Sequence, residues 1–406
     1  MAKIAVLGYG TVGSGVVEVL TTNSESIKKR AGEEIEVKYV LDLRDFPGDP
    51  IQEKIVHDVD IIINDPEIDV VVEVMGGIEP AFTFAKKALT AGKSVCTSNK
   101  ALVAAHGPEL LELARSNSLN FMFEASVGGG IPIIRPLNQS LTADEITQIT
   151  GILNGTTNYI LTKMSREGCS YDETLKEAQA LGYAERNPEA DVEGFDACRK
   201  IAILTSLAFG ATVNFEEITT EGITKITDAD FKYADRLGRV IKLFATSVKR
   251  DGKVYAITAP FMIDSTHPLY NVNDVLNGIY INGNVIGDVM FFGAGAGKLP
   301  TASAVVADVV DCVKHKGKNV MTVWSLEKLE LGNTEDEVRS FFVRVKGNVG
   351  DLSAVEAAFG KVEPVTVDGI DGEFAFITDE MTEKAFSEAA AKVDMINRIR
   401  IDKTTI

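Results

Sequence analysis

The sequence predicts an α/β protein: a Rossmann-type doubly wound parallel sheet, an α+β middle domain and a C-terminal ferredoxin-like domain. Three observations predict it. A glycine-rich turn follows the first apolar run, and short continuous apolar runs then alternate with helical segments over residues 1–135. Residues 336–406 read strand, helix, strand, strand, helix, strand. Near-continuous apolar strands between helices signal a parallel sheet covered on both faces, and βαββαβ is the ferredoxin-like order.

Residues 3–7 (KIAVL) read as the first strand, followed at once by Gly8-Tyr9-Gly10-Thr11-Val12-Gly13. Val12, Val16, Val19 and Leu20 recur at helical spacing, so this turn opens a helix. Further strands are expected at 37–41, 61–63, 70–74, 94–97 and 120–123, with helices at 80–91 and 107–116. The texture changes near residue 140: a strand at 146–153 leads through Asn154-Gly155-Thr156-Thr157-Asn158 into a helix. A polar loop at 182–200 feeds the apolar run 201–210, and a glycine-rich stretch at 291–300 precedes a helix at 301–313 expected to return to the first domain. Residues 323–335 are charged and read as a linker. Beyond it come strands at 338–346, 362–367, 374–377 and 396–401, with helices at 351–359 and 382–393. The expected domains are 1–135 plus about 301–322, then 136–300, then 336–406.

Composition bounds the function. At 406 residues, 45% hydrophobic and 25% charged, the chain has the make-up of a soluble globular protein with two or three domains. No apolar run is long enough to cross a bilayer, and the first strand begins without a signal-peptide pattern. A net charge of −18 argues against a nucleic acid or an anionic membrane as partner. Cys96, Cys169, Cys198 and Cys312 are widely spaced, as expected of reduced thiols in a cytoplasmic protein rather than a disulfide frame or a zinc site. With four histidines in the chain, proton chemistry is expected to fall to lysine and carboxylates.

Gly8, Gly10 and Gly13 stand where a dinucleotide site requires them, after a strand and opening a helix. The first makes the tight turn, the second lets main chain approach a pyrophosphate, and the third lets helix pack on strand. Thr11 and Val12 supply amides in the same turn. At the end of the second strand the signals conflict: Asp42 suits the ribose 2′-hydroxyl of NAD, while Arg44 suits the 2′-phosphate of NADP. Use of both cofactors is the reading adopted. Met75 and Gly76 end another strand where a nicotinamide approaches main chain, and Ser98-Asn99-Lys100 ends the next, so that Lys100 projects into the crevice beyond the strand ends. Glu124 and the triplet Gly128-Gly129-Gly130 fit either a hard monovalent cation, which prefers oxygen ligands, or a plain flexible loop. In residues 182–200, Asp196 and Lys200 are four apart and share a helix face. Taken alone, that is also the pattern of an ordinary surface ion pair.

The stretch Ala178, Gly182, Tyr183, Ala184, Glu185, Asn187-Pro188, Asp191, Gly194, Asp196, Lys200 closely resembles the signature of homoserine dehydrogenases. The resemblance extends to the glycine loop, Ser98-Asn99-Lys100, residues 124–132, 154–158 and 293–300, roughly residues 1–320 in all. It implies NAD(P)H-dependent interconversion of L-aspartate 4-semialdehyde and L-homoserine, in threonine, methionine and isoleucine biosynthesis. By the same resemblance, Lys200 is the proton donor and acceptor at the substrate oxygen. Glu185 binds the substrate amino end, and Asp191 and Asp196 complete the polar site. Lys100 and Ser98 touch the nicotinamide, and Gly182 and Gly297 are further cofactor contacts. Glu124 with the carbonyls of Val127, Gly129 and Ile131 holds a sodium ion.

The C-terminal segment resembles an ACT domain through Lys346-Gly347-Asn348-Val349-Gly350-Asp351-Leu352. This implies threonine as a feedback inhibitor and a homodimer or homotetramer; a bare oligomerisation module is the other reading. No kinase domain precedes the glycine loop, so a monofunctional enzyme is expected. Three rivals stay open. They are another amino-acid or sugar dehydrogenase on the same nucleotide fold, a non-catalytic sensor, and, least favoured, an aspartate-semialdehyde dehydrogenase. That last enzyme needs an activated cysteine, and Cys96 has no histidine near it in sequence.

Overall fold

The computed structural model describes residues 1–402, and the chain divides into two compact units. The first comprises Met1–Glu145, Ala202–Val213 and Gly293–Leu329; the second comprises Ile146–Ile201, Asn214–Phe292 and the chain from Glu330 onwards.

In the first unit, strands β1 (Ala2–Leu7), β2 (Ile35–Leu41), β3 (Ile55–Val56), β4 (Ile68–Glu73), β5 (Ser94–Thr97) and β6 (Phe121–Met122) form one sheet. Its order is β3-β2-β1-β4-β5-β6, and every pairing is parallel. This is the doubly wound sheet that the apolar runs predict. Ile4, Val6, Val70 and Val72 are buried against Val16 of the Thr11–Thr22 helix and against Ala302, Val305 and Val309 of the Lys298–Lys314 helix. Each such side chain contributes about 1.5–3 kcal/mol.

Two local readings need correction. Residues 61–63 are not a strand but the end of the Val59–Ile63 helix, started by Asp58, whose side chain accepts from the Asp60 amide. A run of three isoleucines is too short for its period to be read. The sheet's edge strand is instead Ile55–Val56. Nor are residues 323–329 a free linker. Trp324 is buried at 7% exposure, Ser325 N donates to the Gly210 carbonyl, and Leu329 N donates to that of Thr212.

In the second unit, β7 (Ile146–Ile152), β9 (Arg239–Arg250), β10 (Lys253–Asp264), β11 (Leu276–Gly283) and β12 (Gly287–Ala294) join β13 (Val338–Lys346), β14 (Glu373–Ile377) and β16 (Met395–Ile401). The order is β12-β11-β7-β9-β10-β16-β13-β14, with β8 (Thr219–Thr220) beside β10 and β15 (Met381–Thr382) beside β13. The C-terminal strands therefore continue the same sheet, through parallel pairing of Phe261 with Arg400 and Met262 with Ile401. Residues 362–367 form a single bridge between Val365 and Ala375 rather than a strand. Pro364 carries no amide hydrogen to extend the ladder there. No helix among the described residues is long and apolar enough to cross a membrane.

Candidate functional site

In the first unit the site is made of main chain. Gly8 has φ +98°, and a Cβ on Gly13 would lie 1.9 Å from the Gly8 carbonyl oxygen. Gly10, at the start of the Thr11–Thr22 helix, has open space where its Cβ would stand, as an approaching pyrophosphate requires. Gly297 starts the Lys298–Lys314 helix. The N-termini of these two helices thus belong to this unit, and each favours negative charge. Met75 packs under the loop, its Cγ 3.1 Å from where a Cβ on Gly8 would sit, and Gly76 follows with φ +86°.

The ends of β4 and β5 are tied together. Thr97 Oγ1 donates to Glu73 at 2.6 Å, and the Met75 amide donates to the other Glu73 oxygen at 2.8 Å. Burial pushes the Glu73 carboxyl up, against these donors. Asn99 N bonds Thr97 Oγ1 at 2.9 Å, and Asn99 Nδ2 donates to the Gly77 carbonyl at 2.5 Å. Its Oδ1 accepts from the amides of Ala101 and Leu102, capping the Lys100–Ser116 helix. Ser98 and Lys100 flank this anchored asparagine, so both residues stand at the carboxyl end of the sheet's strands.

Asp42 accepts four donors: Tyr9 N at 2.8 Å, Arg44 N at 3.0 Å, and Arg44 Nε and Nη2 at 2.9 Å each. The guanidinium holds this carboxyl well below the usual range. A carboxylate has about four acceptor positions, so a ribose hydroxyl can bond Asp42 only by displacing one of these donors.

Glu124 is anchored by main chain: its carboxylate accepts from the amides of Ile133 and Ile134 at 2.6 and 2.8 Å and of Arg135 at 2.7 Å. Its own amide donates to Asp308, which also binds Arg135 at 2.7 Å. Burial and the Glu124 charge push Asp308 up to about 8, against the pull of Arg135. The glycine triplet has a packing reason, since a Cβ on Gly129 (φ +56°) would lie 2.2 Å from the Gly295 carbonyl. Among the described residues, no amide donates to the carbonyls of Val127, Gly129 or Ile131.

In the second unit the site is made of side chains. The polar loop ends in the Glu189–Val192 turn, and the Phe195–Phe209 helix follows. The predicted pair forms: Lys200 Nζ donates to Asp196 Oδ2 at 2.7 Å, with 9% and 3% of the two residues exposed. Lys200 also donates to the Leu153 carbonyl at 2.7 Å. Asn154 completes the group, its Nδ2 donating to Asp191 at 2.7 Å and to Asp196 at 2.9 Å. Its Oδ1 caps the Gly155–Glu167 helix through the Thr157 amide. Asp191, Asp196 and Lys200 are therefore brought together. Glu185 and Gly182 lie on the exposed preceding turn, where Gln179 Nε2 holds the Glu185 carbonyl at 3.0 Å.

Sequence reasoning missed Asn154 as a site residue, although an N-cap amide at a strand's end, in Asn-Gly-Thr-Thr-Asn, was a usable signal. It also missed Lys242, buried and donating to Val272 O at 2.6 Å, Asn273 at 2.9 Å and Asn158 at 3.3 Å. Burial brings that amine down to about 8. A lone lysine in an apolar strand gives no sequence signal of such burial.

Residues 8–124 match a family model for the homoserine dehydrogenase NAD binding domain, and residues 132–310 match one for homoserine dehydrogenase. A homoserine dehydrogenase of Bacillus subtilis (strain 168) is 37% identical over 421 aligned residues, covering 99% of this chain and 97% of that protein. The crystal structure of a homoserine dehydrogenase from Thiobacillus denitrificans matches with a TM-score of 0.92 at 34% identity, covering 99% of this chain and 98% of that one. A hyperthermophilic archaeal homoserine dehydrogenase in complex with NADPH matches with a TM-score of 0.66 at 31% identity, over 77% of this chain and 97% of that one.

Proposed function

The chain belongs to the homoserine dehydrogenase family, and from that premise we propose that Lys200 exchanges the proton with the substrate oxygen. The activity is that of a nicotinamide-dependent oxidoreductase acting on a CH–OH group, interconverting L-homoserine and L-aspartate 4-semialdehyde. The nicotinamide, when bound, carries the hydride. What remains for the protein is a proton at oxygen and negative charge building there in between. The observation that carries the assignment is the buried ammonium of Lys200, fixed between Asp196 and the Leu153 carbonyl at 2.7 Å each. An ammonium has three donors, so one stays directed to substrate. Asp196 and Asn154 orient it, Asp191 extends the polar wall, and Glu185 binds the substrate ammonium from the turn. That turn has the exposure a closing contact needs.

On the cofactor side, the amides of Thr11 and Val12 and the loop Gly8, Gly10, Gly13 take the pyrophosphate. Met75, Gly76, Ser98 and Lys100 take the nicotinamide end, and Gly182 and Gly297 are further contacts. Arg44 takes the 2′-phosphate of NADP, while Asp42 serves NAD once Arg44 moves aside. Glu124 and the carbonyls of Val127, Gly129 and Ile131 would hold a sodium ion. Carbonyls without amide donors support this reading.

The domain division proposed is 1–135 with about 301–322 for the cofactor, 136–300 for the substrate, and 336–406 as an ACT-like regulatory domain through which threonine inhibits. A cytoplasmic homodimer or homotetramer is the proposed assembly. The test is nicotinamide reduction with L-homoserine, using NAD and NADP separately, for wild type and Lys200→Ala. Loss of turnover in a variant that still binds cofactor supports the role of Lys200; undiminished turnover rejects it.

A further inference from the structure

The loop before Lys200 rests on a support whose far end lies at the C-terminus of the described chain. Glu221 follows β8, and its amide donates to the Thr258 carbonyl at 2.8 Å. Its carboxylate is gripped by two guanidinium groups of β16. Arg398 Nη1 and Nη2 donate to Oε2 and Oε1 at 3.2 and 2.9 Å, and Arg400 Nη1 and Nη2 donate to the same oxygens at 3.0 and 2.9 Å. Glu383 braces Arg400 from the opposite side, accepting from its Nε and, at 3.1 Å, from its Nη2. Burial alone would raise the Glu221 carboxyl, but the two arginines bring it down to about 2. The ion group is thus charged across the physiological range.

The next three residues press on the catalytic loop. A Cβ on Gly222 would lie 2.3 Å from the Val192 carbonyl and 2.5 Å from Glu193 Cα, so main chain meets main chain with no room for a side chain. Ile223 N donates to the Val192 carbonyl at 2.8 Å, and Thr224 Oγ1 donates to Glu193 at 3.1 Å. Val192 and Glu193 lead directly into Gly194, whose amide bonds the Asp191 carbonyl and whose carbonyl accepts from Cys198 N. This is the start of the helix that carries Asp196 and Lys200.

We propose that Glu221 is a positioning residue for Lys200: Arg398 and Arg400 hold it so that residues 222–224 fix residues 191–194, and hence the direction of the catalytic helix. The state of the last strand is thereby read at the reacting lysine. A small ligand or partner that took Arg398 from Glu221 would loosen the start of the helix without touching substrate. The inference rests on the reading of Lys200 given above, and it concerns residues more than twenty positions away from that lysine in sequence.

The test is steady-state homoserine oxidation by the full chain, with cofactor affinity measured separately. Glu221→Gln keeps the size but cannot neutralise two guanidinium groups. Its kcat is expected to fall about tenfold to a hundredfold, the scale of a displacement of about 1 Å at a catalytic group. The pH profile of kcat should shift, and cofactor Kd should stay within twofold or so. Arg398→Met leaves the Arg400 pair intact and should show the same change in smaller measure, which keeps the test usable if the first variant folds poorly. In a Lys200→Ala background, Glu221→Gln should cost nothing further. An unchanged kcat and pH profile in either folded variant overturns the proposal, as does an undiminished loss in the Lys200→Ala background. If Lys200→Ala alone keeps wild-type turnover, the reading of Lys200 fails first and the positioning role falls with it.

Discussion

The candidate sites of the two units are built from different material. The first uses main chain: the turn Gly8–Gly13, two helix N-termini and the anchored ends of β4 and β5. The second uses side chains that converge from separate elements: Asn154 after β7, Asp191 in the loop, Asp196 and Lys200 on a helix. The difference decides how each half can fail. A site of amides and close approaches is broken by added atoms, because there is no space for them. A site of side chains is broken by truncation or titration, because its geometry persists only while every partner stays in place.

The largest expected effect tests the second half of that contrast. Lys200→Ala removes the proposed proton donor and the ammonium from which Asp196 Oδ2 accepts. We expect kcat to fall by about 10²–10⁴, with NAD(P) affinity unchanged because the dinucleotide cradle shares no residue with this group. A matching loss of cofactor affinity in a titration would mean that Lys200 also serves cofactor binding.

Next in size is a stability effect in the same unit. Lys242 is buried beneath the start of the Gly155–Glu167 helix, bonded to Asn158 and to the 272–273 loop. Its folded pKa of about 8 lies below the ordinary 10.5. Between those values the unfolded chain holds more protons than the folded one, so this group makes stability rise with pH across the window. Below about pH 8 the buried charge costs its full amount, roughly 3 kcal/mol. Denaturant unfolding at pH 7.5 and pH 10 should show a rise in wild type that is absent from Lys242→Met. Parallel changes in the two proteins would mean that Lys242 is not the group responsible.

The same contrast explains what the sequence made legible. A main-chain turn has to be contiguous, and so the tight turn at Gly8 and the close approach at Gly13 could be read from the spacing. The Asp196–Lys200 pair was legible because both lie on one helix face. Asn154 was visible as a motif but not as the amide joining two aspartates, since that needs β7 placed beside the loop. For Glu124 the acidity was visible, but not the three amides at 133–135 from which its carboxylate accepts. Glu221 with Arg398 and Arg400 was wholly illegible, for their separation of more than 170 residues is closed only by the pairing of β10 with β16. The isoleucines at 61–63 failed locally, where the cap from Asp58 outweighed β propensity.

The two smaller predictions concern the main-chain half. Gly13→Ala would set a Cβ against the Gly8 carbonyl at 1.9 Å. Overpacking of this kind costs about 1–3 kcal/mol, so cofactor Kd should rise roughly fivefold to 150-fold while homoserine KM at saturating cofactor stays put. An unaltered Kd would mean that the turn can relax and is not held by that contact. Arg44→Ala is milder and selective, since this guanidinium is exposed and screened. The KM for NADP should rise about tenfold, as expected for losing one charge-assisted contact. NAD should be unaffected or improved, because Asp42 regains two acceptor positions now filled by Arg44 Nε and Nη2. Equal weakening of both cofactors would show that Arg44 shapes the loop rather than reading the phosphate. The Asp42–Arg44 fork would then be structural, a side-chain support in the first unit like the tie of Thr97 to Glu73.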